Sequence, residues 1–418
     1  MKVLLCCENF PPSVGGVQKM MYELGKQFVA FGHDVSVVTS WHKSRDFEVI
    51  DGIKVYTFKV QGNYSNGLTG EVNQYQNFLV NGDFDCLLVM AAQQWTLDAM
   101  LPVLKDIKYI KLHIPCGYSG FYQKKYESYY NDMKGYISDF DNLIYNASDY
   151  RDINFAKSLE LDDKINIIPA GASEEEFAHN PELNIRKKLG ISDNDFIFLS
   201  VGNPPYSKGH KEILKSYDKA NLSGNSVLIL NGNYEQITTD SFKEWIKDKA
   251  KYLLGRSPYS IKKLANRVNA ENKKVLFTNL SRNEVISLFF ESDLFLFASH
   301  VEYSPLVIYE CLASGLPFIS IPVGNTKEIV NNSHGGVICD AKVYNEGFTR
   351  ANPKVFARAM EQLFSDRVKL KELHVSGRLA WEQYYTWQVI AQQIEKLFTK
   401  KQYFQGKVLS QFYFTNRK

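Results

Sequence analysis

The chain has 418 residues, 44% of them apolar and 23% charged, with a formal net charge of +3. That length exceeds one ordinary domain core, and the composition excludes both a disordered chain and a dedicated nucleic-acid binder. No apolar run approaches the roughly 20 residues needed to span a bilayer, and the six cysteines stand at no metal-ligand spacing, so they read as small buried hydrophobes of a reducing compartment.

From the N-terminus, KVLLCC (2–7), DVSVVTS (34–40), CLLVM (86–90), YIKLHI (109–114) and NLIYNA (142–147) are short, nearly continuous apolar runs. The opening MKVLLCCENFPP lacks the apolar core and small-residue cleavage pattern of a signal peptide, so it reads as a first strand. The expected location is therefore the cytoplasm, with contact at the inner face of a membrane left open. Amphipathic stretches separate the runs. In VQKMMYELGKQFVAFG, the residues Met20, Met21, Leu24, Phe28 and Phe31 recur near helical spacing.

After KINIIPAGASEEEF (164–177) a polar stretch, AHNPELNIRKKLGISDND, marks the expected domain junction. The same texture then restarts with FIFLSVG (196–202), SVLILNG (226–232), a strand at 273–278, DLFLFAS (293–299), PFISI (317–321) and GGVIC (335–339), with helices from about 209, 282 and 305 between them. Continuous strands alternating with helices predict parallel sheets covered on both faces. The expected fold is α/β, with two Rossmann-like doubly wound domains facing a central cleft: 1–178, a linker at 179–192, and 193–378. Helices follow at 353–364, 366–379 and about 382–399. The basic, aromatic tail 401–418 suits a membrane- or partner-binding patch or ordinary packing with a solvated face.

Four places carry candidate chemistry. Gly15 and Gly16 follow the first strand and a Pro11–Pro12 turn, where backbone N–H groups and a helix start can approach an anion; a plain strand–helix turn explains them equally. Lys208 precedes Gly209 in SVGNPPYSKGH, and a cation at a strand's C-terminal end can meet a phosphate; a solvated surface lysine fits the same stretch equally. Glu302 and Glu310 flank YSPLVIY, with Pro305 near a helix start and the free N–H groups of Leu306 and Val307 facing outward. Two carboxylates beside an anion site are costly unless they bind something polar, such as sugar hydroxyls. His113 closes the strand YIKLHI before a Pro-Cys-Gly turn, where a sheet delivers residues to a crevice, although a satisfied core histidine would look the same.

These elements, in this order, resemble the large retaining glycosyltransferase family four, of GT-B fold. The most specific match is Glu302, seven residues, Glu310, followed by CLASGLPFISIPVGNTKEIV. Supporting it are the glycine pair in PPSVGGVQKMMYELG, His113, IIPAGASEEEF, the Lys208–Gly209 step and the late YYTWQVIAQQIEKLF, so the resemblance covers roughly residues 1–400. It implies that Glu310 binds the ribose hydroxyls of a nucleotide and that Glu302 and Ser304–Val307 (Ser304, Pro305, Leu306, Val307) hold the transferred sugar and diphosphate. Lys208 would neutralise the leaving group, with Gly15 and Gly16 close by, and His113 would face the donor sugar. Asn279 and Leu280 would contact the base, and a helix at 379–400 would cross back to the N-terminal domain.

The resemblance also implies a nucleotide-sugar donor, most plausibly a UDP-sugar, and a saccharide, lipid-linked or protein acceptor in cell-surface polysaccharide or glycoconjugate synthesis. No metal and no cofactor are expected. In two places the sequence departs from the family pattern. The usual arginine before the lysine is replaced by Gly202-Asn203-Pro204, leaving Asn203 at the donor site and Lys211 and Arg282 as candidate substitutes. Ala170 replaces the asparagine of the usual PNG turn. Three other readings stay open: a catalytically reduced sugar-nucleotide-binding partner subunit, a UDP-sugar epimerase of the same architecture, and, least compatible with the missing dinucleotide fingerprint, a NAD-dependent dehydrogenase.

Overall fold

A computed structural model describes residues 1–203, 206–234, 258–269, 272–344 and 348–399. The Pro204–Pro205 turn and the 401–418 tail lie outside the described residues. The chain forms two compact units, Met1–Ala170 with the described residues from Thr386 onward, and Gly171–Tyr385.

The first unit is built on an eight-stranded sheet. In chain order its strands are β1 (Lys2–Cys6), β2 (Asp34–Ser40), β3 (Val49–Ile50), β4 (Ile53–Phe58), β7 (Cys86–Met90), β8 (Ile110–Ile114), β9 (Asn142–Tyr145) and β10 (Ile165–Ile167). A separate hairpin, β5 (Val60–Asn63) and β6 (Gly67–Gly70), lies between β4 and β7 in the chain. The spatial order is β10-β9-β8-β7-β1-β2-β4-β3, parallel except for the β3–β4 pair. All five residues of β7 are buried, as a strand covered on both faces requires. The helix Gly16–Ala30 turns Met20, Met21, Leu24 and Phe28 inward. Phe31 caps it and is half-buried.

The second unit carries a six-stranded, wholly parallel sheet: β11 (Phe196–Val201), β12 (Ser226–Asn231), β13 (Lys273–Thr278), β14 (Leu294–Phe297), β15 (Phe318–Ser320) and β16 (Gly336–Ile338). Their order is β13-β12-β11-β14-β15-β16, so the winding reverses between β11 and β14. In the first unit the reversal falls between β1 and β7. Ligands of doubly wound sheets bind outside the carboxyl ends of the strands at such a reversal.

Two boundaries differ from the sequence expectation. Residues 171–192 belong to the second unit rather than to the first domain and a linker. Phe177 packs edge-on against Phe289, and the Glu291 carboxylate accepts the N–H groups of Ile185 and Arg186 at 2.9 Å each. A polar stretch thus becomes structure because its donors find a buried-side acceptor. The helix expected at 382–399 is also interrupted. Residues Trp381–Tyr385 form a π-turn tied to the second unit, with Trp381 Nε1 donating to Ala172 O (3.2 Å) and Ala172 N donating to Tyr385 O (3.1 Å). Thr386, in extended conformation, caps a new helix, Trp387–Glu395, by accepting from Val389 N. That helix buries Trp387, Ile390, Ala391 and Ile394 in the first unit, where Glu395 reaches His33 (2.9 Å) and Phe398 meets Phe28. Among the described residues no helix is long and apolar enough to cross a membrane.

Candidate functional site

In the second unit, β11 and β14 flank the winding reversal, and the segments leaving them come together. Ser207 O accepts the N–H of His300 at 2.6 Å. Gly209 makes this approach possible. Its φ is +70°, and a Cβ there would lie 1.9 Å from Ala298 O, so no side chain fits. The stitched loops deliver Lys208 to Glu302, where Oε1 accepts from Lys208 Nζ at 2.7 Å and from Ser299 Oγ at 2.6 Å. Lys208 keeps 35% of its side chain exposed and Glu302 16%, so the pair is fixed yet reachable. β14 ends at Phe297, two residues before the expected run 293–299 does, because residues 298–305 are committed to this loop.

Pro305 is the N-cap of the helix Leu306–Ser314 rather than its first helical residue. The N–H groups of Leu306 and Val307 precede the first intrahelical bond, Ile308 N to Pro305 O (3.0 Å). They are oriented donors at the positive end of a helix. Asn325 fixes the approach to this helix. Its Nδ2 donates to Ser304 Oγ (3.1 Å) and lies 3.2 Å from Tyr309 OH, and its N–H donates to Tyr303 O (2.9 Å).

One turn into the same helix, Glu310 Oε1 accepts from Arg282 Nη2 at 2.6 Å. Arg282 also grips Glu176, with Nε donating to Oε1 (3.1 Å) and Nη2 to Oε2 (2.7 Å). Burial acts against the guanidinium, but Glu310 and Glu176 outweigh it, and its pKa ends above the ordinary arginine value. Arg282 therefore stands on the Glu310 side of the site. Its carboxylate partners are Glu176 and Glu310, whereas Lys208 pairs with Glu302. Lys211 is half-buried in the helix His210–Lys219.

Asn203 is exposed and its Oδ1 accepts from Asn233 N (3.1 Å), which bridges the loops after β11 and β12. Asn279 is exposed, but the Leu280 N–H is already taken by Asn231 Oδ1 (3.0 Å), which also accepts from Thr278 Oγ1. Sequence reasoning does not single out Glu176, Ser299, Asn231 or Asn325. Glu176 is one of three consecutive glutamates in SEEEF, and nothing local separates it from its neighbours.

In the first unit, Gly15 is extended (φ 171°) and caps the helix Gly16–Ala30 with no side-chain hydrogen bond; Gly16 is exposed. His113, at the end of β8, has no exposed surface. Its Nδ1 donates to Val89 O (3.1 Å), its ring stacks on Phe140 at 5.0 Å, and its Nε2 has no protein partner. Burial depresses its pKa to about 4 against a smaller opposing effect of the Val89 bond, so the imidazole is neutral. His113 has no exposed surface in this arrangement, and Nε2 is the ring atom left for the expected sugar contact. The structure thus brings Lys208, Glu302, Ser304–Val307 and Glu310 into one strand-edge group, with Asn203 and Asn279–Leu280 on the adjoining loops. Gly15, Gly16 and His113 belong to the other unit.

Comparisons with known proteins point to glycosyl transfer. Residues 182–380 match the family model described as Glycosyl transferases group 1. An uncharacterized glycosyltransferase of Methanocaldococcus jannaschii is 22% identical over 393 residues, covering 88% of this chain and 90% of that protein. A sucrose-phosphate synthase of Thermosynechococcus elongatus superposes with a TM-score of 0.72 at 16% identity, over 95% of this chain and 98% of that one. Anabaena HepE, solved in complex with UDP and glucose, gives 0.66 at 14% identity over 95% and 98%. At these identities the solved structures establish the fold, GT-B with two Rossmann-like domains.

Proposed function

We propose that the chain is a retaining glycosyltransferase that moves a sugar from a UDP-sugar to a hydroxyl of a saccharide or lipid-linked acceptor. The observation that carries this reading is the pair of ionic clusters beside one helix N-terminus in the second unit. Lys208–Glu302 lies before Leu306 and Val307, and Arg282–Glu310 lies one turn after them. The matched family description and the UDP and glucose of the HepE complex support a nucleotide-sugar donor.

The chemistry assigned to these groups is simple to balance. The bond between the anomeric carbon and the diphosphate oxygen breaks, and its electron pair leaves with the diphosphate. The acceptor oxygen bonds to the same face of the anomeric carbon, and its proton passes to the departing diphosphate. Lys208 and the N–H groups of Leu306 and Val307 would meet the negative charge as it grows, without a metal. Preorganised donors of this kind usually supply the largest share of catalysis. Glu302 would accept from hydroxyls of the transferred sugar, and Glu310 from the ribose diol. The proposal rests on the second unit.

The test is calorimetric titration with UDP, GDP, ADP and their sugar conjugates, without metal and then with magnesium. Micromolar binding of the uridine series, indifferent to magnesium and weakened about 10-fold or more by Glu310→Ala, is expected; a hydrogen-bonded pair to a charged group is worth about 1.5–3 kcal/mol. Binding that needs magnesium, or that Glu310→Ala leaves intact, overturns the assignment. No binding at all overturns the nucleotide-sugar reading, whereas binding without turnover in a transfer assay favours the partner-subunit reading. The observation behind that reading is Asn203, which is neutral and already bonded to Asn233 where the resemblance expects a cation.

A further inference from the structure

The chain Glu176–Arg282–Glu310 is reachable from solvent, its three side chains keeping 20%, 40% and 15% of their surface exposed. Yet its geometry is over-determined. Arg282 is the first residue of the helix Arg282–Glu291, whose start is fixed by Glu284 Oε2 accepting from Ser281 N (2.8 Å) and Ser281 Oγ (2.7 Å). The loop before it is fixed by Asn231. The guanidinium centre lies 5.7 Å from the buried ring of Phe177, and two of its nitrogens face Glu176 as a fork. Only the remaining reach of Nη2 touches Glu310.

We propose that Arg282, braced by Glu176, is a positioning residue of the nucleotide site that holds the Glu310 carboxylate aimed at a ribose diol. The inference rests on the nucleotide-sugar reading above and deepens it. A ribose diol is recognised by a carboxylate whose oxygens each accept one hydroxyl, which requires the carboxylate to be charged and fixed in direction. Glu310 spends one acceptor position on Arg282 and keeps the others, because a carboxylate offers about four lone-pair sites. Glu176 prevents the opposite outcome, a free arginine that swings over Glu310 and closes it to ligand. A lysine cannot do the same work, since it lacks the planar fork needed to hold one carboxylate while donating to a second.

Arg282 acts here through the ribose end, and this separates it from a cation that meets phosphate. The experiment measures binding of uridine, UMP and UDP to the full chain and to Arg282→Ala, Arg282→Lys, Glu176→Gln and Lys208→Ala, with the adenosine and guanosine series alongside. The expected result is about a 10-fold loss for Arg282→Ala, of equal size for nucleoside, monophosphate and diphosphate, with a smaller equal loss for Glu176→Gln and no rescue by Arg282→Lys. Lys208→Ala should instead lose affinity only as phosphates are added. A loss at Arg282 that grows with phosphate number overturns the proposal and makes Arg282 a phosphate cation. Unchanged or tighter binding by Arg282→Ala also overturns it, the latter by showing that Arg282 blocks Glu310. Thermal unfolding of each variant controls for folding, and Arg282→Lys serves if the alanine variant fails to fold. If the wild-type chain binds none of the ligands in any series, the nucleotide reading itself falls, and this role with it.

Discussion

Both units carry loops at the carboxyl ends of their parallel strands, but they treat charge there in opposite ways. In the second unit the edge holds two partly exposed ionic clusters, Lys208–Glu302 and Glu176–Arg282–Glu310. In the first unit two titratable groups near the edge, His113 and Asp98, are withdrawn from solvent. His113 is neutral and fully buried, and Asp98 is 1% exposed beneath Tyr64 and Tyr129. The loops there rely on backbone shape, with Ala91, Gln93, Cys116 and Tyr118 all at positive φ. Left-handed residues of this kind persist only where surroundings hold them. Here Tyr129 OH accepts from Gln93 N (3.0 Å) and Asp152 accepts from Gly117 N (2.9 Å). The lesson is a division of labour: one edge keeps charge available to a ligand, while the other uses buried polar groups to fix loop shape.

The comparison is broken most sharply through His113. Its pKa falls from 6.5 to about 4 on folding, so the unfolded chain binds more protons between those values. The stability this contributes is complete above pH 6.5 and is lost as pH falls towards 4. The sum is about 3 kcal/mol. His113→Asn, which keeps an N–H for Val89, should abolish that slope. Unfolding of wild type and variant by denaturant from pH 4 to 8 should show their stability difference growing by about that amount towards neutral pH. An imidazole that titrates near 6.5 in the folded protein, read by its ring proton resonances, would show a reachable histidine and remove the contrast.

At the second edge the effect should fall on activity instead. Lys208→Ala is expected to lower turnover about 100-fold, or about 2.7 kcal/mol, as the loss of one charge-stabilising donor commonly does. It should cost about 1 kcal/mol or less of stability, because a third of the lysine is in solvent. Near-normal turnover in a transfer assay would mean that Lys208 does not face the leaving group.

The same contrast explains what the sequence disclosed. Glu302, Glu310 and Lys208 were legible because charged residues at fixed offsets from glycine, proline and a helix start have few ordinary reasons to be there. The two-sheet architecture was legible from continuous runs such as CLLVM and LFLF. Long-range partners were not. Glu176 is marked only by the arginine it meets, and that arginine is far along the chain. The burial of His113 depends on Phe140, which follows the next helix. The crossing at Thr386 is hidden because WEQYYTW has aromatic residues on both sides of it. Trp381 and Tyr385 turn to one unit and Trp387 to the other without any change in composition. A hydrophobic pattern records that a residue is buried, not against what.

Asp98 offers the finest division of the first edge. Burial raises its pKa from 3.8 to about 6, against the opposing bonds from Tyr64 N and Tyr129 OH, each 2.9 Å. The folded chain therefore binds more protons between those values, and stability falls as pH rises from about 4 to about 6, opposite in sign to His113. The change amounts to about 3 kcal/mol. Asp98→Asn cannot ionise, but its amide accepts only one of the two bonds, which costs about 1 kcal/mol. The variant should thus be less stable than wild type by about 1 kcal/mol at pH 4 and more stable by about 2 kcal/mol at pH 8, the two curves crossing between about 4 and 6. Parallel curves in the same denaturant series would mean that Asp98 is ionised throughout. The first edge would then hold a charge as the second does, and the difference between them would lie in exposure alone.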